Sequence, residues 1–467
     1  MVRNTLIFTL LVLLALPSQV RGQNNPPQDN GHLRPGTQNP EYWCYHGQET
    51  LLLGGSIEDN LFQVENVEQH LELLRSAGGN YVRCTMSSRD EGNEWPFAKN
   101  EEGLYDLYQF NETYWNRFRN FLEAARDRGI VVQVEVWATF DFYRDNWDVN
   151  PFNPLNNVNY TTRRSKLPEK VETHPIFTEN NFFRSVPAQM ALPVVLQFQQ
   201  VFVDKLLDIS LAFDNVLYCM DNETSVSSDW GKFWARYIRK RAAMSGKTVF
   251  TTEMWDPWDL DHPFHAETFD NPEIFTFVDI SQNNHNSGDR HWFNGLKQFE
   301  RLKFTNSLRP VNNVKIYGND GGKHQTTRNA VESFVKNVLM GCASARFHRP
   351  TSGQGLNETA QQVIRSMREL SERSDFFAGQ PTLDPLTNRV KDEQYCRAVP
   401  GREYMVYFTR KGEVQLELTP YEGTFSLSWL HILESRWVPG GKVIGGSPAE
   451  LKTPGDGHWI ALITRDN

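Results

Sequence analysis

The sequence predicts an α/β fold, a (β/α)8 or TIM barrel followed by a small all-β sandwich domain. Two patterns indicate this architecture. Eight short β-branched runs alternate with longer helical patterns, and the last 90 or so residues, roughly one small domain, contain short strands without a helical period. Strands that alternate with helices pair in parallel, and eight such units favour a closed barrel. An open doubly wound sheet is the main alternative, but no glycine-rich phosphate loop follows the first strand.

The N-terminal segment has the pattern of a secretory signal peptide, predicted over residues 1–22. Arg3 supplies a positive charge, residues 6–16 form an apolar run too short for a membrane span, and Val20 and Gly22 are small residues before a cleavage point. We therefore expect a secreted or periplasmic protein with no membrane span. Residues 23–39, rich in Pro, Asn and Gly, are predicted to be a disordered linker.

The predicted barrel occupies residues 40–375. Its strands are expected at 51–53, 81–85, 130–137, 216–220, 248–252, 275–280, 314–317 and 343–347. The helices between them carry apolar residues three and four positions apart, as at Trp115, Phe118 and Leu122. A long Asn- and Pro-rich excursion at 145–190 precedes the third helix.

Residues 376–467 are predicted to form the sandwich. Strand patterns at 405–408, 414–418, 425–429 and 459–463 are separated by Gly and Pro turns. The chain has five widely spaced cysteines, and an odd number with such spacing is not a disulfide framework.

Composition narrows the function classes. The formal net charge of −9 argues against a nucleic-acid-binding surface. No His-Glu-x-x-His motif is present, and no His-x-His follows the first strand, so neither a metal nor a cofactor is predicted. The sequence does not predict an oligomeric state.

The active site of a (β/α)8 barrel lies at the C-terminal ends of its strands. Hydrogen-bonding and stacking side chains follow nearly every predicted strand: Ser56, Glu58 and Asp59; Arg83; Glu135 and Trp137; Asp221, Asn222 and Glu223; Glu253, Trp255 and Asp256; Gln282, Asn283, Asn284 and His285; Asn319 and Asp320; His348 and Arg349. Carboxylates and amides suit sugar hydroxyls, and indoles suit a pyranose face. Cleaving a glycosidic bond needs two carboxyl groups.

Two short motifs resemble the large clan of glycoside hydrolases typified by family 5 cellulases and β-galactosidases. Residues 79–83 resemble the strand-two segment whose arginine holds the nucleophile, and Asn222-Glu223 resembles the Asn-Glu pair that ends strand four. The C-terminal sandwich also resembles the apiosidase-like barrel families. The resemblance implies that Glu223 is the acid/base and that Asn222 contacts the sugar 2-hydroxyl.

The clan's nucleophile ends strand seven, usually in a Glu-x-Gly segment, where this chain has Asp320-Gly321-Gly322. The resemblance thus makes Asp320 the expected nucleophile, with Glu253 as its rival, and implies a retaining mechanism. Retention would place the carboxyl groups of Glu223 and Asp320 about 5–5.5 Å apart. Burial and the neighbouring carboxylate are expected to raise the pKa of Glu223.

The expected function is hydrolysis of O-glycosidic bonds in a polysaccharide or oligosaccharide. Nine side chains are predicted to bind this substrate: Arg83, Glu135, Trp137, Asn222, Trp255, Gln282, Asn283, His285 and His348. The alternative is a non-catalytic carbohydrate-binding barrel that has lost its nucleophile. An esterase ranks last, because the chain has no Gly-x-Ser-x-Gly elbow.

Overall fold

The computed structural model describes residues 31–173, 180–321 and 325–466. The predicted signal peptide and residues 23–30 of the predicted linker lie outside the described residues. The first described residues form a three-stranded antiparallel sheet, made of β1 (Arg34–Pro35), β2 (Trp43–Tyr45) and β3 (Gln48–Thr50). The last part of the segment predicted to be a linker is therefore ordered.

This small sheet covers the N-terminal end of the barrel. Trp43 is buried, and its indole donates a 2.9 Å hydrogen bond to Asn312 Oδ1. Its ring also packs edge-to-face against Phe250 and Phe277, with ring centroids 5.4 and 5.5 Å apart. The indole thus closes the barrel at the end opposite to the expected active site.

Ten strands follow: β4 (Leu52–Gly55), β5 (Tyr81–Thr85), β6 (Phe97–Lys99), β7 (Tyr105–Phe110), β8 (Val131–Trp137), β9 (Val216–Asp221), β10 (Thr251–Thr252), β11 (Val278–Asp279), β12 (Val311–Asn312) and β13 (Ser344–Phe347). The helices are α1 (Val67–Ser76), α2 (Glu112–Asp127), α3 (Arg144–Val149), α4 (Thr162–Ser165), α5 (Pro193–Ser210), α6 (Ser228–Met244), α7 (Pro263–Phe269), α8 (Gly288–Phe304), α9 (Thr327–Met340) and α10 (Glu358–Arg373). The antiparallel hairpin β6–β7 lies outside the barrel sheet, and the other eight strands form the barrel.

The barrel is closed by parallel pairing. Six strands run in the order β10-β9-β8-β5-β4-β13, and β11 pairs with β12. Two junctions complete the ring: Thr276 N donates to Thr251 O at 2.8 Å, and Ala343 N donates to Val311 O at 2.8 Å. The predicted (β/α)8 class is confirmed. Strand seven begins earlier than the predicted 314–317, at β12, and isolated bridges at Ile316 and Tyr317 continue it.

The excursion between β8 and α5 is held together by asparagine side chains. Asn150, Asn153 and Asn157 are buried, and their amide groups donate to backbone carbonyls within the same excursion. Internal hydrogen bonds thus satisfy a buried, irregular backbone that has no ladder of its own. The Asn-rich composition is the local cause of this ordered loop.

The C-terminal domain packs two antiparallel sheets face to face. Its strands are β14 (Gln380–Thr382), β15 (Leu386–Thr387), β16 (Gln394–Val399), β17 (Glu403–Phe408), β18 (Glu413–Leu416), β19 (Thr424–His431), β20 (Arg436–Ile444), β21 (Ala449–Lys452) and β22 (Trp459–Arg465). Six strands run in the order β14-β16-β17-β22-β19-β20, and three in the order β15-β18-β21. The sandwich has its own apolar core, and the predicted all-β class is confirmed.

Buried polar contacts attach the sandwich to the barrel. Arg397 donates to Leu339 O at 3.2 Å and to the hydroxyl of Tyr42 at 2.6 Å, and Ser366 Oγ donates to Ile432 O at 2.7 Å. All five cysteines are buried, and none of them is part of a disulfide. Among the described residues, no helix is both long and apolar enough to cross a bilayer.

Candidate functional site

A polar cavity of about 740 Å³ opens at the C-terminal ends of the barrel strands. Its lining comes from loops after all eight strands: Asp59, Arg89, Phe140, Asn146, Asn222, Glu223, Asp256, Trp258, Gln282, His285, Lys315, Tyr317, Gly321, His348, Arg349, Thr351 and Ser352. The volume is that of an ordinary small-molecule site. The structure thus brings five of the predicted site residues together: Asn222, Glu223, Gln282, His285 and His348.

Glu223 is the central carboxylate of this cavity. It follows β9 in a left-handed backbone conformation, with φ 51°. Its Oε1 atom accepts from Gln282 Nε2 at 2.6 Å and from the hydroxyl of Tyr317 at 2.5 Å, and lies 2.7 Å from Lys315 Nζ. Strain of this kind in a non-glycine residue persists only where surrounding contacts enforce it. The three donors therefore fix the carboxylate at the barrel mouth.

The pKa of Glu223 is shifted in the direction opposite to the predicted one. Burial by itself favours the neutral acid, but the Lys315 ammonium and the donors on Oε1 outweigh burial and hold the pKa of Glu223 well below its ordinary value. The prediction of a raised pKa is wrong. The reason is Lys315, whose 2% exposed side chain also donates to Asn222 Oδ1 at 2.5 Å.

A cluster of charged side chains around Arg83 lies beneath the cavity. Arg83 donates to Asp59 Oδ1 and to Glu135 Oε1, both at 2.5 Å, and both Arg83 and Glu135 are fully buried. Burial raises the pKa of Asp59, but Arg83 and then His348 and Arg349 overcome it, so that this pKa lies well below its ordinary value. Arg83 and Glu135 thus support Asp59 from below and do not line the cavity.

Asp256 is a second acidic side chain beside Glu223. Past the end of β10, its backbone N donates to Thr224 O at 2.9 Å, and Thr224 N donates to Met254 O at 2.9 Å. These bonds extend the pairing of strands four and five up to the cavity. Burial, and then the charge of Glu223, raise the pKa of Asp256 to about 6.

Aromatic rings form one wall of the cavity. Trp258, 55% exposed, stacks on His285 with centroids 4.2 Å apart and an interplanar angle of 14°. His285 in turn lies 4.6 Å from the ring of Tyr317. An exposed indole face beside carboxylates and amides is the arrangement expected for stacking on a sugar ring.

Four predicted site residues face the helices instead of the cavity. Glu253 is fully buried against α6, where a Cβ at Gly231 would lie 2.1 Å from its Oε2 atom. Trp255 donates to Thr268 Oγ1 in α7 at 2.7 Å. Trp137 packs against aromatic rings of α5 and α6, and Asn283 donates to a carbonyl of α8. None of the four lines the cavity.

Asp320 makes its side-chain contact at the start of α9 and not with Glu223. Its side chain is exposed, and its Oδ1 atom accepts a 3.0 Å hydrogen bond from Thr327 N at the start of α9. A carboxylate at this position satisfies a free N–H group of the helix. Its neighbour Gly321 lines the cavity, but Asp320 does not.

Sequence reasoning missed Lys315, Tyr317 and Trp258. The first two lie where strand seven continues, and the sequence pattern gives both as ordinary strand residues. A lysine within an otherwise apolar strand was the signal for a buried charge at this position. Among the described residues, no cluster of His, Cys, Asp and Glu has the arrangement needed to hold a metal ion.

No family model and no curated protein matches the chain. Solved structures do match. A glycoside hydrolase family 5 protein from Bacteroides vulgatus is 13% identical, with 94% of each chain covered and a TM-score of 0.63. A structure described as a glycoside hydrolase is 12% identical over 94% of this chain and 98% of its own, with a TM-score of 0.64. A family 5 mannosidase from Rhizomucor miehei is 12% identical over 74% of this chain and 99% of its own, with a TM-score of 0.51. The chain therefore shares the fold of these barrel glycoside hydrolases.

Proposed function

We propose that the chain is a glycoside hydrolase that cleaves O-glycosidic bonds in an oligosaccharide or polysaccharide, with Glu223 as its essential carboxylate. The observation that carries this proposal is the Glu223 carboxylate, fixed by three donors in a polar cavity at the mouth of the barrel. The aromatic wall beside it and the fold shared with glycoside hydrolases support a sugar substrate. The signal-peptide pattern of residues 1–22 supports action outside the cytoplasm.

The ionised state of Glu223 suits a nucleophile. A carboxylate held beside a cation is deprotonated at neutral pH and can attack the anomeric carbon, which leads to retention through a covalent glycosyl-enzyme intermediate. The roles implied by the resemblance, with Glu223 as acid/base and Asp320 as nucleophile, would require Asp320 to leave the start of α9 and Glu223 to hold a proton beside Lys315.

The second candidate function is carbohydrate binding without hydrolysis. The Lys315–Glu223 pair favours it, because an ammonium group bound to the carboxylate lowers its nucleophilicity. Turnover on a panel of aryl glycosides and polysaccharides distinguishes the two functions. An enzyme cleaves at least one member of the panel, and Glu223→Gln abolishes this turnover because it removes the nucleophile, while sugar binding measured by calorimetry persists.

The matched control is Glu267→Gln, which removes a carboxylate that pairs with Lys232 at the surface and does not line the cavity. It should keep full activity. A fluorinated slow substrate should add its glycosyl mass to the peptide that contains Glu223, and proton NMR should show retention. Binding without turnover by the wild-type protein would establish the second function and refute the first.

A further inference from the structure

We propose that Asp256 is the residue that protonates the leaving oxygen in this reaction. The inference rests on the proposed hydrolase function and adds the group that the nucleophile needs as its partner. Asp256 lines the same cavity as Glu223. Backbone hydrogen bonds through Thr224 connect the two residues, since Asp256 N donates to Thr224 O at 2.9 Å and Thr224 directly follows Glu223 in the chain.

The other cavity carboxylates are held ionised by cations. Asp59 is bonded by Arg83 at 2.5 Å, by Arg89 at 3.3 Å and by Arg349 at 3.4 Å. Glu223 is held by Lys315 in the same way. A carboxylate in such contacts carries no proton at neutral pH and cannot act as an acid.

The remaining protonated carboxyls are out of reach of a substrate. Burial raises the pKa of Asp221 to about 8, that of Asp279 to about 7 and that of Asp141 to about 6, and it also raises the pKa values of Glu253 and Glu403. All five are buried and lie outside the cavity lining. Within the described part of the chain, Asp256 alone combines access to the cavity with the affinity for a proton that a general acid requires.

The charges that face Asp256 also explain how it acts as an acid in the first step and as a base in the second. Glu223 raises its pKa, and Lys315 lowers it, in addition to the larger effect of burial. When Glu223 becomes an ester, its negative charge disappears, and the pKa of Asp256 falls. A group that is an acid before this step and a base after it is what a retaining mechanism requires.

The two steps balance in atoms and charge. In the first, a Glu223 oxygen bonds to the anomeric carbon as the glycosidic C–O bond breaks, and the leaving oxygen takes the electron pair and the proton of Asp256. In the second, the Asp256 carboxylate removes a proton from water, whose oxygen bonds to the anomeric carbon while the ester to Glu223 breaks. Glu223 is released as a carboxylate, and Asp256 is again protonated.

Leaving-group dependence tests the proposal. A dinitrophenolate needs no proton to depart, whereas an alkoxide does. Asp256→Asn should therefore lower the rate of the first step on the order of 10²–10⁴-fold for an alkyl glycoside or oligosaccharide, and by less than about 10-fold, the range of a minor effect, for the dinitrophenyl glycoside of the same sugar. Added azide should speed turnover of the variant on the dinitrophenyl glycoside and give a glycosyl azide.

The pH profile gives a second measurement. The basic limb of kcat/KM in the wild-type enzyme should be lost in Asp256→Asn. The control variant is Asp259→Asn, which changes an exposed aspartate of the same loop, three residues further on and outside the cavity lining, and it should leave both measurements unchanged.

Each of the following outcomes would overturn the proposal. Equal losses on both substrates would mean that Asp256 only maintains the site, and unchanged activity on the alkyl glycoside would mean that it is dispensable. If the wild-type enzyme cleaves no glycoside, the proposed function fails, and the proton donor fails with it. If Glu223→Gln abolishes wild-type turnover but Asp256→Asn shows no leaving-group effect, the hydrolase function stands and only the role of Asp256 as proton donor is refuted.

Discussion

Lys315→Met should destabilise the protein and shift the pH dependence of its activity. Lys315 and Glu223 are 2% and 14% exposed, so their ion pair is screened little by water. Removing one partner of a buried pair leaves an uncompensated charge and typically costs about 3–5 kcal/mol. We expect a loss of this size in the free energy of unfolding at pH 7, measured by urea denaturation.

The sign of the pH effect follows from the direction of the shift. In the wild type, Lys315 helps to hold the pKa of Glu223 below its unfolded value, so the stabilisation is present at neutral pH and is lost as the pH falls. The stability difference between wild type and variant should thus shrink below about pH 4, near the unfolded value. The acidic limb of kcat/KM should move to higher pH, because burial without the ammonium favours the neutral acid.

Lys336→Met is the matched control. Lys336 is a buried lysine of α9 that donates to Gly288 O and does not line the cavity. Its replacement should reduce stability without moving the acidic limb. If Lys315→Met leaves both the unfolding free energy and the acidic limb unchanged, the ion pair does not control the charge of Glu223, and our account of the site is refuted.

Two further substitutions test the packing around the site. Gly231→Ala would bring a Cβ within 2.1 Å of Glu253 Oε2 and should cost about 1–3 kcal/mol in unfolding free energy; a gain in stability, as helix propensity alone would give, would contradict this packing. Trp258→Ala removes the exposed ring that stacks on His285 and should cost about 0.5–1.5 kcal/mol of sugar binding, seen as a roughly 2- to 13-fold rise in KM. Phe304→Ala, at a 92% exposed ring away from the cavity, is the control and should leave KM unchanged.

The fold could be predicted from the sequence because its signals are local. Apolar residues spaced three and four positions apart mark the buried face of each helix. Eight successive strand–helix units then indicate a barrel, and recognising them requires no information about tertiary contacts. Strand seven was less accurately predicted. The ladder of β12 is confined to Val311–Asn312 and starts three residues before the predicted strand at 314–317, where Ile316 and Tyr317 make only isolated bridges.

The site was less predictable, because the face on which a strand residue lies depends on the phase of the pleat. Successive side chains point to opposite sides of the sheet. An error of one residue in the predicted register therefore assigns a side chain that faces the helices to the barrel interior, or the reverse. Composition favoured Glu253 and Trp255 at the end of strand five, yet both face helices, and Asp256 lines the cavity. Lys315 was missed for a different reason, since its partner Glu223 is 92 residues away in sequence (315 minus 223) and only the closed barrel brings them together.

The buried carboxyls of Asp221 and Glu253 should make the protein less stable as the pH rises. Burial raises the pKa of Asp221 to about 8, and burial together with the nearby Asp221 carboxyl raises that of Glu253 well above its ordinary value. The Trp230 indole and backbone N–H groups oppose the effect but do not cancel it. The folded protein therefore keeps protons that the unfolded chain releases above about pH 4.

Because the folded state binds more protons over this range, the free energy of unfolding should fall between about pH 4 and pH 8, with a slope of up to about 1.4 kcal/mol per pH unit for each group. Asp221→Asn keeps an acceptor for Trp230 and removes one titrating group, so the fall should become less steep. Asp229→Asn, at an exposed aspartate of α6, should leave the slope unchanged. Urea unfolding at several pH values measures both variants, and parallel curves for Asp221→Asn and wild type would show that Asp221 is ionised in the folded barrel, which would require a counter-charge that the contacts of Asp221 do not contain.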